Sequence, residues 1–372
     1  MGLSRFYIYD LSGLVTPLLE ISDFALLLPR GIVIVVALLR TPLPCFEPAM
    51  LRILLAIVLT CTCLTPAVAQ PPSVDLAAKL AGIKFDHYAE APGYSEGPSW
   101  REGYVFFCSG ALLRVTPAKQ VERYLSIGPA GTVVRGDGSL LICDNKNKAL
   151  VEFTNDRKLR VLADECNGAK LKSLNDLTID AAGNVYWSDP EGSSLAKPVG
   201  SVYRLTPAGR VSQVATGLAF PNGLDVDPAS KYLYVIESQS KKIKRYSLGE
   251  GDAPLGEPTE FYDLGGSGGD GCAFDAEGNL WVADFHRPDT MQGRITVLSP
   301  AGKQLATLDV PAKVVSNIAF GGPKHDEIFC TTGTPAGVFH ARVGVVGFRG
   351  HPGKAMTPLR ELTIDPADGA AK

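Results

Sequence analysis

The sequence has no run of basic residues and no excess of positive charge. Its 36 Lys and Arg are set against 39 Asp and Glu, for a net charge of −3. Proteins that bind DNA or RNA cluster Lys and Arg along one face, so the composition gives no support to a nucleic-acid partner. Histidine is also scarce. The five residues show no spacing typical of metal ligands: His87, His286, His325, His340 and His351.

Cysteine is present, but not in a pattern that would form cross-links or bind zinc. Three of the eight Cys lie before residue 70, which leaves an odd number, five, in the remainder. An odd number argues against a disulfide framework, and the spacings match no zinc motif. Because free Cys behaves as a small apolar residue, we predict that these five lie in the core: Cys108, Cys143, Cys166, Cys272 and Cys330.

A helix after the main glycine-rich stretch is missing as well. The letters GGSGG at 265–269 match a nucleophile elbow, and GSGGDG at 266–271 match a dinucleotide-binding fingerprint. Both motifs require a helix directly after the glycines, whereas a short β-type run, Cys272 to Phe274, follows here. We interpret the stretch as a flexible loop.

Long hydrophobic runs are confined to the first seventy residues. Residues 50–69 have the basic start, apolar middle and Ala-x-Ala end of a secretory signal peptide, and their apolar run is shorter than the roughly 20 residues of a membrane span. We predict export to the periplasm or the exterior, no membrane span in the mature protein, and a linker over 70–84. Residues 1–49 are then an upstream segment if translation starts at Met50. Alternatively they form a second apolar segment that tethers the protein to a membrane.

What the sequence does contain is a repeat. In the segment DAEGNLWV, which starts at Asp275, an Asp-x-x-Gly-Asn turn leads into an apolar β-type run, and an apolar run also precedes the turn, as in a hairpin. Related segments begin at Asp180, Asp227 and Gly322, with shorter copies at Gly136 and Arg101. The first apolar residues after the turns are 36, 45, 48, 47 and 48 residues apart: Tyr104, Leu140, Val185, Leu233, Leu280 and Ile328.

A fixed period of this size is typical of solenoids, propellers and arrays. Each repeat also has a third β-type run, and five of the six have a fourth. Four strands per repeat fit a propeller blade, and six repeats close a ring that leaves no long sheet edge. The sequence therefore predicts an all-β, six-bladed β-propeller with four antiparallel strands per blade over 85–350, followed by a C-terminal tail over 351–372.

One residue precedes the first apolar strand of each repeat. Because innermost strands run side by side around one axis, equivalent positions should converge on one spot in the central channel. Two carboxylates brought together repel each other unless a proton or a cation lies between them, and an oxygen-only shell suits Ca²⁺ first, with Mg²⁺, Mn²⁺ or Zn²⁺ as alternatives. The six residues are Glu96, Ala130, Asn175, Asn222, Asp270 and Asn317.

The alternative explanation is that these positions serve turns. Asn and Asp before Gly are ordinary turn residues, and this would account for any single Asn-Gly or Asp-Gly pair. It does not account for Glu96, or for polar residues in register in five of six repeats. We therefore favour a divalent-ion site.

Five segments carry a resemblance to a known family. They are SEGPSW at Ser95, SLNDL at Ser173, FPNGLD at Phe220, DG at Asp270 with DAEGNLWV at Asp275, and NIAFGG at Asn317. With these motifs the chain resembles the SMP-30/gluconolactonase/luciferin-regenerating-enzyme-like family, and its bacterial gluconolactonases in particular.

The resemblance implies metal ligation by Glu96, Asn222 and Asp270, with Asn175 completing the site or contacting substrate, and Asp270 as the general base. The sequence departs from the gluconolactonase pattern at Ala130, where an Asn is common, and at Asn145, where a His is common. Both departures concern the substrate more than the metal.

We therefore predict a hydrolase that opens a small sugar-derived lactone such as gluconolactone by attack of metal-activated water. Asn175, Asp176 and His286 are the predicted substrate-binding residues. Two alternatives stay open: a metal-stabilised propeller that only binds, and another propeller hydrolase of the strictosidine-synthase-like kind.

Overall fold

The computed structural model describes residues 24–27, 34–37, 75–249, 253–285 and 290–365. Predicted site residue His286, the predicted signal peptide over 50–69 and most of 1–49 lie outside these ranges. The chain divides into two units, 1–72 and 73–372. In the first unit, strands β1 (Phe24–Leu27) and β2 (Ile34–Ala37) pair as an antiparallel hairpin.

The second unit is built from six antiparallel blades, five with four strands and one with a fifth strand added at its outer edge, which confirms the predicted six-bladed propeller. It begins with helix α1 (Leu76–Leu80) and strand β3 (Asp86–Glu90). Blade 1 contains β4 (Glu96–Arg101), β5 (Tyr104–Cys108), β6 (Leu112–Val115) and β7 (Val121–Leu125). Blade 2 contains β8 (Pro129–Val134), β9 (Leu140–Asp144), β10 (Ala149–Phe153) and β11 (Leu159–Ala163). A two-residue hairpin, β12 (Glu165–Cys166) and β13 (Ala169–Lys170), follows.

Blade 3 contains β14 (Leu177–Ile179), β15 (Val185–Asp189), β16 (Gly200–Leu205) and β17 (Val211–Leu218). Blade 4 contains β18 (Pro221–Val226), β19 (Tyr232–Glu237), β20 (Lys242–Ser247) and β21 (Thr259–Asp263). Blade 5 contains β22 (Cys272–Phe274), β23 (Leu280–Asp284), β24 (Arg294–Leu298) and β25 (Gln304–Asp309). Blade 6 contains β26 (Val315–Gly321), β27 (Glu327–Gly333) and β28 (Ala336–Arg342).

The fourth strand of blade 6 comes from the other end of the unit. β3 pairs with β28, so residues near the start of the propeller complete its last blade. The innermost strands β4, β8, β14, β18, β22 and β26 contact one another in a closed ring around a central channel. We call the end of the channel where these strands begin the mouth, and the opposite end the base.

The Asp-x-x-Gly-Asn turns form because one carboxylate replaces several missing backbone partners. Asp275 Oδ1 accepts hydrogen bonds from the backbone N of Asn279 at 2.8 Å and of Glu277 at 3.0 Å, and its Oδ2 accepts from Trp281 Nε1 at 3.0 Å. Gly278 has φ +84°, which a side chain would strain. The turn therefore joins the first two strands of the blade and fixes a large core residue.

The core lies between the blades. Six apolar clusters in the described residues each fill the space between two neighbouring blades. The five Cys are free and buried, as predicted. Helix α1 lies within the predicted linker and buries Leu80 against blades 5 and 6. No helix of the described residues is long and apolar enough to cross a membrane.

The chain after β28 runs across the base of the propeller. Phe348 N donates to Phe274 O in blade 5 at 2.9 Å, and Gly136 N in blade 2 donates to Pro352 O at 2.7 Å. Strand β29 (Arg360–Leu362) then adds to the outer edge of blade 2 by pairing with β11. The residues predicted as a tail over 351–372 thus include a fifth strand of that blade.

Candidate functional site

Acidic residues at the ends of second strands hold the loops that lead into the channel. In blades 2, 3 and 4, each such carboxylate accepts a hydrogen bond from a backbone N–H just before the innermost strand. Hydrogen bonds to an ionised acceptor are stronger than those to a neutral acceptor. These bonds therefore fix the position of the loop that precedes each mouth residue. The pairs are Asp144 with Gly128 at 3.0 Å, Asp189 with Ser173 at 3.0 Å, and Glu237 with Ala219 at 2.9 Å.

Glycines beside the mouth residues allow neighbouring innermost strands to touch. Asn222 and Gly223 lie inside β18, so the alternative that this Asn-Gly pair serves a turn is wrong. Gly223 N donates to Asp270 O at 3.0 Å, and a Cβ at Gly223 would lie 2.2 Å from that same oxygen. Blades 4 and 5 can therefore meet only through glycine here. Equivalent close approaches to a neighbouring backbone occur at Gly97 and Gly131, whereas Gly271 packs against the side chain of Asn317.

Two carboxyl groups meet at the mouth. Asp270 exposes 2% of its surface and interacts directly with Glu96. Burial, followed by repulsion from Glu96, raises the pKa of Asp270 well above its usual range. Burial, followed by the charge of Asp176, raises the pKa of Glu96 to about 8. Two interacting carboxyl groups cannot both ionise readily unless a cation lies between them, and otherwise one keeps its proton.

The two oxygens of Asp270 are in different surroundings. Oδ2 accepts a hydrogen bond from the Tyr94 hydroxyl at 3.2 Å. Oδ1 is buried and has no hydrogen-bond donor among the described residues. A buried polar atom without a partner is costly, so the geometry of Asp270 suits an additional group at Oδ1.

The amides of Asn175 and Asn222 form a second pair. Asn175 Nδ2 donates to Asn222 Oδ1 at 2.9 Å, and Asn222 Nδ2 donates to Ser238 Oγ at 3.1 Å. Ser238 Oγ in turn donates to Gly269 O at 2.7 Å, next to Asp270. This chain of bonds ties the blade 3 and blade 4 amides to the loop that carries the carboxylate.

Asp176 lies deeper and is already satisfied. Its Oδ1 accepts from Leu177 N at 2.9 Å and its Oδ2 from Asn317 Nδ2 at 3.1 Å, and burial raises its pKa to about 6. Asp176 and Asn317 line a cavity of about 150 Å³ that extends along the channel to Phe348 at the base. The predicted substrate role of Asp176 stays a prediction, and the structure places it as a link between blades 3 and 6.

The donors at the mouth fit a hard divalent ion. Among the described residues, no three His, Cys, Asp or Glu side chains form a metal-binding group, so an ion here would draw on amide oxygens as well as carboxylates. Such mixed oxygen sets suit Ca²⁺ and other hard cations. The free Oδ1 of Asp270 and the repulsion between Asp270 and Glu96 are the two observations that support this fit.

Ala130 and Asn145, the two departures from the gluconolactonase pattern, are both described by the structure. Ala130 lies half-buried at the start of β8, so blade 2 contributes no polar side chain at that position. Asn145 donates to Leu174 O at 2.7 Å, while its Oδ1 is buried and lacks a donor within the described ranges. Tyr94 and Ser238 are site residues that the sequence motifs did not predict. Ser238 directly follows the recurring acid at the end of a second strand, a signal that could have identified it.

One family model and two relatives named as lactonases match this chain. A family model described as the SMP-30/Gluconolactonase/LRE-like region matches residues 94–334. The pentonolactonase XacC of Haloferax volcanii is 27% identical over 249 residues, which covers 64% of this chain and 80% of the relative. A gluconolactonase of Zymomonas mobilis is 27% identical over 267 residues, covering 61% and 73%.

A solved structure of similar fold is also known. A gluconolactonase of Xanthomonas campestris has a TM-score of 0.63 at 24% identity, covering 72% of this chain and 92% of that protein. At this identity the likeness concerns the fold alone.

Proposed function

The chain belongs to the SMP-30/Gluconolactonase/LRE-like family, and from this membership and the carboxylate pair at the channel mouth we propose that it is a metal-dependent lactonase acting on a sugar-derived lactone such as an aldonolactone. The observation that carries the proposal is Asp270, a buried carboxylate with one oxygen held by the protein and the other without a protein donor.

Four residues would hold the ion: Glu96, Asn175, Asn222 and Asp270. Ca²⁺ is the first choice for an oxygen donor set, with Zn²⁺, Mn²⁺ and Mg²⁺ as alternatives. When bound, a divalent ion polarises the lactone carbonyl and offsets the negative charge that develops on its oxygen.

Asp270 acts as the general base. A water molecule attacks the lactone carbonyl carbon, and the water proton passes to the ionised carboxylate of Asp270. The ring C–O bond then breaks, the departing oxygen takes up the proton, and the product is an open-chain hydroxy acid. The hydrogen bond from Asn175 Nδ2 to Asn222 Oδ1 holds these two amides in a fixed mutual orientation.

The substitution Asp270→Asn tests this assignment. It keeps the size of the side chain but removes the proton acceptor, so we expect kcat on gluconolactone and pentonolactones to fall by about 10²–10⁴-fold. Activity is followed by acid release, after EDTA treatment and after return of each ion. Activity that survives at the wild-type level would remove Asp270 as the base.

Asp225→Asn is the matched control. Asp225 lines the channel cavity, and its Oδ1 is held by Thr178 Oγ1 at 2.6 Å and Val226 N at 2.8 Å. We expect this variant to keep activity within about threefold, since Asp225 faces neither Glu96 nor Tyr94. If the wild-type protein binds an ion but hydrolyses neither gluconolactone nor the pentonolactones, the result favours the binding-only alternative.

A further inference from the structure

The segment that closes the ring also brings a tyrosine to the mouth. Tyr94 lies in the connection between β3, the outer strand of blade 6, and β4, the inner strand of blade 1. From this position its hydroxyl reaches Asp270 of blade 5 and donates to Oδ2 at 3.2 Å. Besides Glu96, the other carboxyl group at the mouth, Tyr94 is the one side chain among the described residues that hydrogen-bonds to Asp270. We infer that Tyr94 is a positioning residue, which turns the Asp270 carboxylate so that Oδ1 faces the channel.

The backbone next to Tyr94 is firmly anchored. Ser95 is fully buried, and its hydroxyl donates to Thr332 O at 2.9 Å and Gly337 O at 2.7 Å. Ser316 Oγ donates in turn to Ser95 O at 2.6 Å. Blade 6 therefore holds the residue between Tyr94 and Glu96 from both sides, and the hydroxyl of Tyr94 starts from a fixed point.

The ring of Tyr94 packs at a defined position against blade 6. A Cβ built on Gly333, at the end of β27, would lie 3.1 Å from both Cδ2 and Cε2 of the ring. The ring thus packs on the bare backbone of Gly333, where any side chain would press against it. The outer part of the residue remains open, with 50% of its surface exposed, so the ring forms part of the wall that a ligand entering the mouth would meet.

These contacts explain how Tyr94 acts on Asp270. A carboxylate with two free oxygens can rotate, whereas one held at Oδ2 presents Oδ1 in a fixed direction. Hydrogen-bond partners that orient a metal-binding side chain typically matter by about 10–100-fold in metal affinity or activity. The inference rests on the proposed function for its link to hydrolysis, but the effect on ion affinity can be measured without any substrate.

Tyr94→Phe removes only the hydroxyl and is the direct test. We expect the dissociation constant for Ca²⁺ or Mn²⁺, measured by calorimetry on EDTA-treated protein, to rise by about 10-fold or more. We expect kcat to fall by a similar factor while KM changes less than about twofold, because the ring at the mouth is kept. Tyr262→Phe is the matched control, since Tyr262 OH donates to Gln304 Oε1 at 3.0 Å on the outer edges of blades 4 and 5.

Gly333→Ala provides an independent variant that leaves the hydroxyl in place. The added methyl group should displace the ring by a few tenths of an ångström and weaken ion binding in the same direction, to a smaller extent. An ion affinity of Tyr94→Phe that equals or exceeds that of wild type would overturn the inference. If wild-type protein binds ion but hydrolyses no lactone, the proposed function fails and the positioning role is still decided by the calorimetry.

Discussion

Removal and return of a divalent ion should change the stability of this propeller in a pH-dependent way. Below its raised pKa of about 8, Glu96 in the ion-free folded protein holds a proton that the unfolded chain releases near pH 4.5. The folded state then binds more protons, so the stability of the ion-free protein falls as pH rises from about 4.5 to about 8. An ion needs the ionised carboxylates, and its affinity should rise with pH over the same window.

The expected effect of the ion at pH 8 is a rise in Tm of a few degrees. An ion at about 100 times its dissociation constant at pH 8 stabilises the folded state by about 2.7 kcal/mol. With an unfolding entropy of about 2.1 cal/mol/K per residue over the roughly 280 described residues of the second unit, this corresponds to a rise in Tm of roughly 4–5 °C. If one proton must be displaced, affinity falls by about tenfold per pH unit, so at pH 5 the same ion concentration is about a tenth of the dissociation constant. The expected rise in Tm there is below about 1 °C.

The assay is thermal unfolding of EDTA-treated protein at pH 5, 6, 7 and 8, with and without added Ca²⁺. Glu96→Gln serves as the comparison, because it keeps the size of the side chain and removes the titrating group. We expect it to lose most of the ion-induced rise at pH 8 and to show a flatter pH dependence. An equal rise at pH 5 and pH 8, or an unchanged rise in Glu96→Gln, would refute the linkage between the carboxylate pair and the ion.

Two further predictions concern the strands that hold the mouth. Gly223→Ala would place a methyl group 2.2 Å from Asp270 O, so we expect a loss of about 3 kcal/mol or more in urea unfolding. Gly93→Ala, where the nearest atom is 3.9 Å away, should change little, and equal stability of the two variants would contradict the packing argument. Asp275→Ala strips buried donors of their acceptor and should cost about 3 kcal/mol while kcat per folded molecule is kept. Glu277→Ala in the same turn is the control, and an unaltered Tm for Asp275→Ala would show that the turn does not depend on its carboxylate.

The strands of each blade could be predicted because their signals are local. The residues that begin the second strands recur at a nearly fixed period, and Tyr104, Leu140, Val185 and Leu280 are the first residues of β5, β9, β15 and β23. The turn chemistry is equally local, since an Asp bonds to backbone groups two to four residues away. These features fixed both the number of blades and their order.

The family resemblance also proved reliable, because it rested on short motifs at the channel rather than on overall composition. The motifs around Glu96, Asn222 and Asp270 all lie within the matched region 94–334. Their roles as ion ligands stay predictions, for which the unpartnered Oδ1 of Asp270 is the structural support.

The amino-acid order alone thus fixes the repeat, the blade count and the polar residue at the head of each innermost strand, because each depends on neighbours close in the chain. It could not tell that β3 completes blade 6, that Tyr94 reaches Asp270, or that both oxygens of Asp176 are already bonded. The first two contacts join residues far apart in sequence, and the ring closure brings them together. Asn317 reaches Asp176 across 141 positions for the same reason. Only the closed propeller decides which polar atoms are satisfied and which, such as Asp270 Oδ1, are left without a protein donor.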